Sequence, residues 1–157
     1  MTLLSATLGL TGSDYSYVLG TVVAAAFLNQ AHGMVVSAAR KRAGVAYPAA
    51  YASDEQVKAD KSPERNAIKF NCAQRAHANY LANYTQFVTA SLIAGLEYPR
   101  ATAALGAVWL VGRVLFLVGY ISGEPKKRMI GAVQYIGTFG ILGLAATTAF
   151  KLISANF

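Results

Sequence analysis

The stretch YSYVLGTVVAAAFLNQAHGMVVSAA, residues 15–39, contains no Asp, Glu, Lys or Arg. As a helix rising 1.5 Å per residue it would be about 37 Å long, enough to cross the roughly 30 Å hydrocarbon core of a bilayer. Arg40-Lys41-Arg42 come directly after it. An apolar run of that length closed by three cations is expected to be a membrane-spanning helix.

Working outward from it, residues 76–96, 101–112 and 129–150 are also free of charged side chains. The first and last of these are long enough to span alone. The middle one must take in Arg113 and continue through Ile121. The expected spans are therefore near 15–38, 67–96, 100–121 and 129–153, and the expected fold is an all-α integral membrane four-helix bundle forming one domain over residues 1–157. Tyr98-Pro99 and Gly123-Glu124-Pro125 supply turns between spans. Residues 39–65, with Pro48 and Pro63, are the one long polar segment. Residues 1–12 lack the basic region of a cleavable signal, so the first span is expected to act as an uncleaved anchor.

Composition agrees with a membrane solvent. Of 157 residues, 55% are hydrophobic and only 13% charged, with mean hydropathy +0.38; a soluble domain carries about 25% charge. The 14 Lys and Arg against 7 Asp and Glu give a formal charge of +7. With so apolar a chain, that charge is read as membrane topology rather than nucleic-acid binding. Six cations lie in residues 39–65 and Lys126-Lys127-Arg128 in the last connection, while only Arg100 and Lys151 lie on the other side. Both basic connections are expected to be cytosolic. The single cysteine, Cys72, excludes an intrachain disulfide, and with two histidines and no clustered acids no metal site is expected. The Gly137, Gly140, Gly143 series is read as close helix packing.

Two arginines do not fit a bland topology signal. Arg113 lies about 13 Å along its helix from Ser122, a depth at which a lone arginine costs roughly 2.5–3.5 kcal/mol. Arg75 opens the uncharged part of the second span. All seven acids lie at span ends or in connections, so neither arginine has a carboxylate within a span. Backbone carbonyls, loop acids or an external anion are the available partners. Arg75, Asn79, Asn83 and Gln86 recur at spacings of four, four and three, one face of a helix, with His77 on another. A helix polar on two sides suggests neighbours on two sides, as in an oligomer with sites between subunits.

Phe70-Asn71-Cys72-Ala73-Gln74-Arg75-Ala76-His77-Ala78-Asn79 resembles the signature of the MAPEG superfamily, membrane-associated proteins of eicosanoid and glutathione metabolism. Gly112-Arg113-Val114-Leu115 and Gly119-Tyr120-Ile121-Ser122-Gly123-Glu124-Pro125 resemble its microsomal glutathione transferase branch, close to the leukotriene C synthases. Ala39-Arg40-Lys41 and Val45-Ala46-Tyr47-Pro48 fit as well. The resemblance implies a homotrimer of four-helix subunits in the endoplasmic reticulum membrane and the nuclear envelope continuous with it. Glutathione is the implied co-substrate, bound between subunits near the cytosolic face. The partner substrate would be a lipophilic electrophile, conjugated by transferase chemistry, or a lipid hydroperoxide, reduced as by a peroxidase.

Residue by residue, the resemblance implies that Arg75 and Asn79 hold the glutathione carboxylates and backbone, with Arg113 added as a buried cation. His77 matches a contact from the adjacent subunit, Arg40 a basic contact at the end of the first span, and Tyr120 a tyrosine lining the site. The thiolate-stabilising arginine falls on Arg128, or on Lys127 if the connection is counted without a gap. A cation there lowers the thiol pKa from about 8.5 and so supplies the nucleophile. The chain departs from the family at Ala82, where a glutamate is usual, and at Phe116, where a tyrosine is usual. Those departures favour the alternative reading, a non-enzymatic lipid-presenting scaffold of the same superfamily with weakened glutathione binding. A channel using Arg113 as pore lining finds little support, since no span is broken.

Overall fold

The computed structural model describes residues 14–155, so residues 1–12 and the anchor reading that rested on them lie outside the described part. It is all-helical, with no strand among the described residues: α1 (Tyr15–Ala43), α2 (Asp54–Ala59), α3 (Asn66–Gly95), α4 (Pro99–Ile121), a 3-10 helix (Pro125–Gly131) and α5 (Gln134–Ser154). Helices α1, α4 and α5 are long and apolar enough to cross a membrane. The chain is a multi-pass membrane protein by that measure. At 30 residues α3 has ample length, but the polar side chains Arg75, Asn79, Asn83 and Gln86 hold it below the apolar composition of the other three. The last span starts later as an α-helix than its charge pattern implies. Met129 belongs to the 3-10 helix and the α-helix begins only at Gln134, because Gly131 sits so close to the Gly112 carbonyl and the Phe116 backbone that a Cβ there would overlap both.

The described residues pack as two compact units. One comprises the chain up to Ala25, Tyr84–Leu110 and the chain from Val133 onward. Its helices meet at small residues: Gly95 against Tyr15 and Val18, Gly106 against Thr21, and Gly137 against the Leu105 carbonyl and Trp109. Phe87 and Trp109 stack at 3.9 Å between ring centroids, a contact worth about 0.5–1.5 kcal/mol beyond area burial. Gly143, expected with Gly137 and Gly140 to mark a close approach, meets nothing within 4 Å. The charges of this unit pair off, Arg100 with Asp14 at 2.6 Å and Lys151 with Glu97 at 2.6 Å. It therefore adds nothing to the net charge, and the entire +7 belongs to the other unit.

That second unit comprises Ala26–Asn83 and Val111–Ala132. Its core joins Val36 of α1, Val45 and Ala52 of the polar segment, and Ala67, Phe70 and Ala73 of α3. Helix α1 ends where Gly44 takes φ +64°, a left-handed conformation that glycine adopts without a Cβ penalty. Arg40, Lys41 and Arg42 occupy its last turn, where cations complement the negative end of the helix dipole. Ser53 and Gln56 form a capping box that starts α2. The start of α3 is satisfied from the loop before it: Asp60 accepts from the Ala67 N–H at 2.8 Å and Ser62 Oγ from the Asn66 N–H at 3.1 Å. These bonds take up donors a helix start would otherwise leave unpaired. The Asp60 carboxyl is held below the usual carboxylate range, the Ala67 N–H being the largest cause and Ser62 the next. Asn71 clamps the polar segment to α3 by exchanging two hydrogen bonds with the Ala52 backbone, at 2.8 and 2.9 Å.

Candidate functional site

Every residue singled out for chemistry falls in this second, basic unit. A four-residue step along α3 places Arg75 and Asn79 on one face, and both residues are exposed. Helix α4 carries Arg113, Phe116 and Tyr120 at intervals of three and four, one face of that helix. The 3-10 helix then returns over α4, bringing Arg128 back to Tyr120. This return depends on Gly119, where a Cβ would overlap the Lys127 carbonyl.

The resulting arrangement is a continuous string. Arg128 Cζ lies 5.6 Å from the Tyr120 ring centroid, and Arg128 Nη1 donates to the Pro125 carbonyl at 2.9 Å. The Tyr120 ring meets Phe116 edge-on at 5.5 Å and 87°. Arg113 Cζ stands 5.2 Å from the Phe116 centroid and 4.9 Å from that of Tyr80. Arg113 is 0% exposed, and its Nη1 donates to Asn79 Oδ1 at 2.8 Å. Tyr51 and Tyr120 are the side chains that act on the Arg75 guanidinium. Tyr120 thus has Arg128 over its ring and is one of the two tyrosines acting on Arg75.

Five of the seven sequence-derived site residues, Arg75, Asn79, Arg113, Tyr120 and Arg128, therefore belong to one connected arrangement. Arg40 lies outside it, and His77 reaches it only through the rings of His32 and Tyr80. Arg40 turns toward its own loop, donating to the Ala49 carbonyl at 2.6 Å with its guanidinium 4.4 Å from the Tyr47 ring and 4.7 Å from Phe70. His77 lies on a different face of α3, its Nε2 3.2 Å from Asn29 Oδ1 and its ring 6.1 Å from that of His32. His32 is fully buried and packs 4.6 Å from Tyr80, as a packing histidine would.

Between the two candidates for the basic connection, the geometry separates roles. Lys127 is exposed and paired with Glu124 at 3.0 Å, while Arg128 is the residue over Tyr120. Neither departure from the family pattern is filled by a carboxylate: Ala82 is exposed on α3, and Phe116 is a buried link between Tyr120 and Arg113. The sequence did not point to Tyr51. It sits in the proline-containing polar segment, and only the clamp of that segment to Asn71 brings it to Arg75. Asn29, the only asparagine of α1, was also missed, because no pattern along that helix shows that it faces His77 of α3.

Chemically, two guanidinium groups sharing one tyrosine suit an anion with hydrogen-bond acceptors, and a thiol near Arg128 would ionise more readily. The model of the MAPEG family matches residues 18–149, from the first turn of α1 into the last turns of α5.

Proposed function

The chain belongs to the MAPEG family, and from that premise we propose that it is a membrane-bound glutathione transferase of the microsomal, leukotriene C synthase-like branch, with peroxidase activity on lipid hydroperoxides. The observation that carries this reading is Arg128 over the Tyr120 ring at 5.6 Å, with Arg75 acting on the same tyrosine. Glutathione is an anionic tripeptide with a thiol. Its carboxylates fit Arg75 and Asn79, and its sulfur fits the neighbourhood of Arg128.

In the proposed reaction the thiol loses its proton to solvent and Arg128 balances the thiolate charge. The sulfur lone pair then forms a C–S bond to a lipophilic electrophile, which opens an epoxide or expels a leaving group. With a hydroperoxide, thiolate attack on oxygen breaks the O–O bond. A second glutathione then completes the disulfide, leaving alcohol and water. Arg113, buried through its bond to Asn79, acts here as a positioning residue for Asn79 rather than as a contact to substrate. In the proposal Arg40 is a basic contact to glutathione at the end of α1, and His77 a contact to a neighbouring subunit's ligand.

The homotrimer and the endoplasmic reticulum are part of the same proposal. The exposed Arg75, Asn79 and Gln86 along α3 support a partner chain, because polar side chains facing lipid are unfavourable. Ultraviolet difference absorbance of the purified protein at saturating glutathione tests the reading. A thiolate band is expected, with Arg128→Ala abolishing it and Lys127→Ala leaving it within about twofold; absence of the band in the unsubstituted protein would sink the reading. The second reading, a lipid-presenting scaffold, is favoured by one observation, the exposed methyl of Ala82 where a carboxylate would meet the glutathione amino group.

A further inference from the structure

We propose that the cleft beside the end of α1 holds the phosphate headgroup of an anionic phospholipid, at a place separate from the string around Tyr120. The cleft measures about 250 Å³ and is lined by Val35, Ala38, Ala39 and Arg42 of α1, Lys69 of α3 and Ile121 of α4. Asn66 and Ala73 of α3 complete the lining, so its polar groups are Arg42, Lys69 and Asn66 and the other lining side chains are apolar. Neither Arg42 nor Lys69 forms an ion pair among the described residues. Of the acids nearby, Asp60 accepts from the Ser62 and Ala67 N–H groups and Glu124 pairs with Lys127, and among the described residues Glu64, Asp54 and Glu55 form no ion pair with either cation.

Lys69 is also held in position. Its Cγ lies 3.1 Å from where a Cβ at Gly123 would stand, so the lysine stem runs along that glycine, whose φ of +83° belongs to the turn after α4. The stem is thereby supported while the ammonium serves the cleft. A soluble anion would need only the two charges, but apart from Asn66 the remaining lining side chains are hydrocarbon. From Val35 to Arg42 the helix rises about 10 Å. A molecule reaching along it passes from a basic level to an apolar one in the order that a phospholipid passes from headgroup to acyl chain. Basic pockets between membrane helices on the cytosolic side recognise acidic lipid headgroups in this way.

The test is native mass spectrometry of the full-length protein in neutral detergent, titrated in separate arms with phosphatidylglycerol, phosphatidylcholine and inorganic phosphate. A resolved phosphatidylglycerol adduct is expected, with no comparable phosphatidylcholine adduct. The double variant Arg42→Gln/Lys69→Gln should bind at least tenfold more weakly. Ala38→Leu, which keeps both cations and narrows the cleft at an exposed position, should weaken binding several-fold and guards against a double variant that fails to fold. Lys58→Gln on α2 should bind as the unsubstituted protein does. Equal loss in Lys58→Gln would make the attraction diffuse, and equal binding of phosphatidylcholine would remove the role of the cations; either overturns the proposal. Displacement of the lipid by millimolar phosphate or glutathione overturns it too, assigning the cleft to a soluble anion. Thiolate formation by glutathione is read separately, so failure here leaves the transferase reading standing, and the reverse.

Discussion

Arg113 of α4 donates from Nη1 to the side-chain oxygen of Asn79 on α3, at 2.8 Å. A cation 0% exposed and about 12 Å from its helix end is thereby met by a neutral amide rather than by a carboxylate. An amide costs less to bury than an acid, and it accepts from the guanidinium without cancelling the charge. The surrounding Tyr80 and Phe116 rings, at 4.9 and 5.2 Å, add cation–π attraction.

If that bond holds the two helices together, Asn79→Ala should lower stability by about 2 kcal/mol, the range for a hydrogen bond to a charged group. Thermal unfolding in detergent would measure it. Arg113→Met should cost less in the Asn79→Ala background than alone, since the second change then removes a cation already lacking its amide. A double-mutant cycle showing additive losses contradicts direct coupling.

Gly119→Ala should act through Arg128. The added Cβ overlaps the Lys127 carbonyl, so the 3-10 helix must shift or part from α4, at about 1–3 kcal/mol. Thiolate absorbance at saturating glutathione should fall together with stability. Gly143→Ala, inside α5 at a position that meets nothing within 4 Å, should leave the thiolate absorbance unchanged and, by helix propensity, raise stability by about 0.5–1 kcal/mol.

Restoring a carboxylate at residue 82 tests how the family pattern has been altered. Ala82→Glu should tighten glutathione binding by about tenfold, equivalent to roughly 1.4 kcal/mol, by meeting the ligand's amino group. Equilibrium binding by calorimetry gives the answer. An unchanged or weakened affinity places residue 82 outside the site and strengthens the scaffold reading.

The start of α3 should respond to acid. Hydrogen bonds from Ala67 and Ser62 lower the Asp60 pKa in the folded protein, so the folded state favours the carboxylate. That contribution is complete above the unfolded value of about 3.9 and disappears as pH falls through the lowered folded value. Asp60→Asn should therefore be less stable than the unsubstituted protein at neutral pH, with the two converging as pH falls through the lowered folded value. A gap that persists in acid would show that the carboxylate charge is not the cause.

The helical content was legible along the chain because charge-free runs and turn residues mark the ends of helices directly. Residues 15–39 announce α1, and Tyr98-Pro99 and Gly123 announce the breaks around α4. The start of α5 was less legible, since Met129–Gly131 are as apolar as the first turns of α5 and only the close approach of Gly131 to Phe116 sets them apart. The site was legible to the same extent. Spacing along one helix placed Arg75 with Asn79, and the depth of Arg113 raised the question of its partner. Which side chain answers it could not be read, because a contact between helices depends on their relative rotation, which no local pattern encodes.

By itself, then, the sequence determined that this is a basic, helical membrane protein with cations too deep to be topology signals. Tertiary structure decided that Arg113 meets Asn79, that Arg75 and Arg128 share Tyr120, and that Arg40 turns to its own loop. The physical reason is one of range. Hydrophobicity and turn propensity act over neighbouring residues, whereas a guanidinium selects its partners by directed bonds across whatever helices packing brings within about 3 Å.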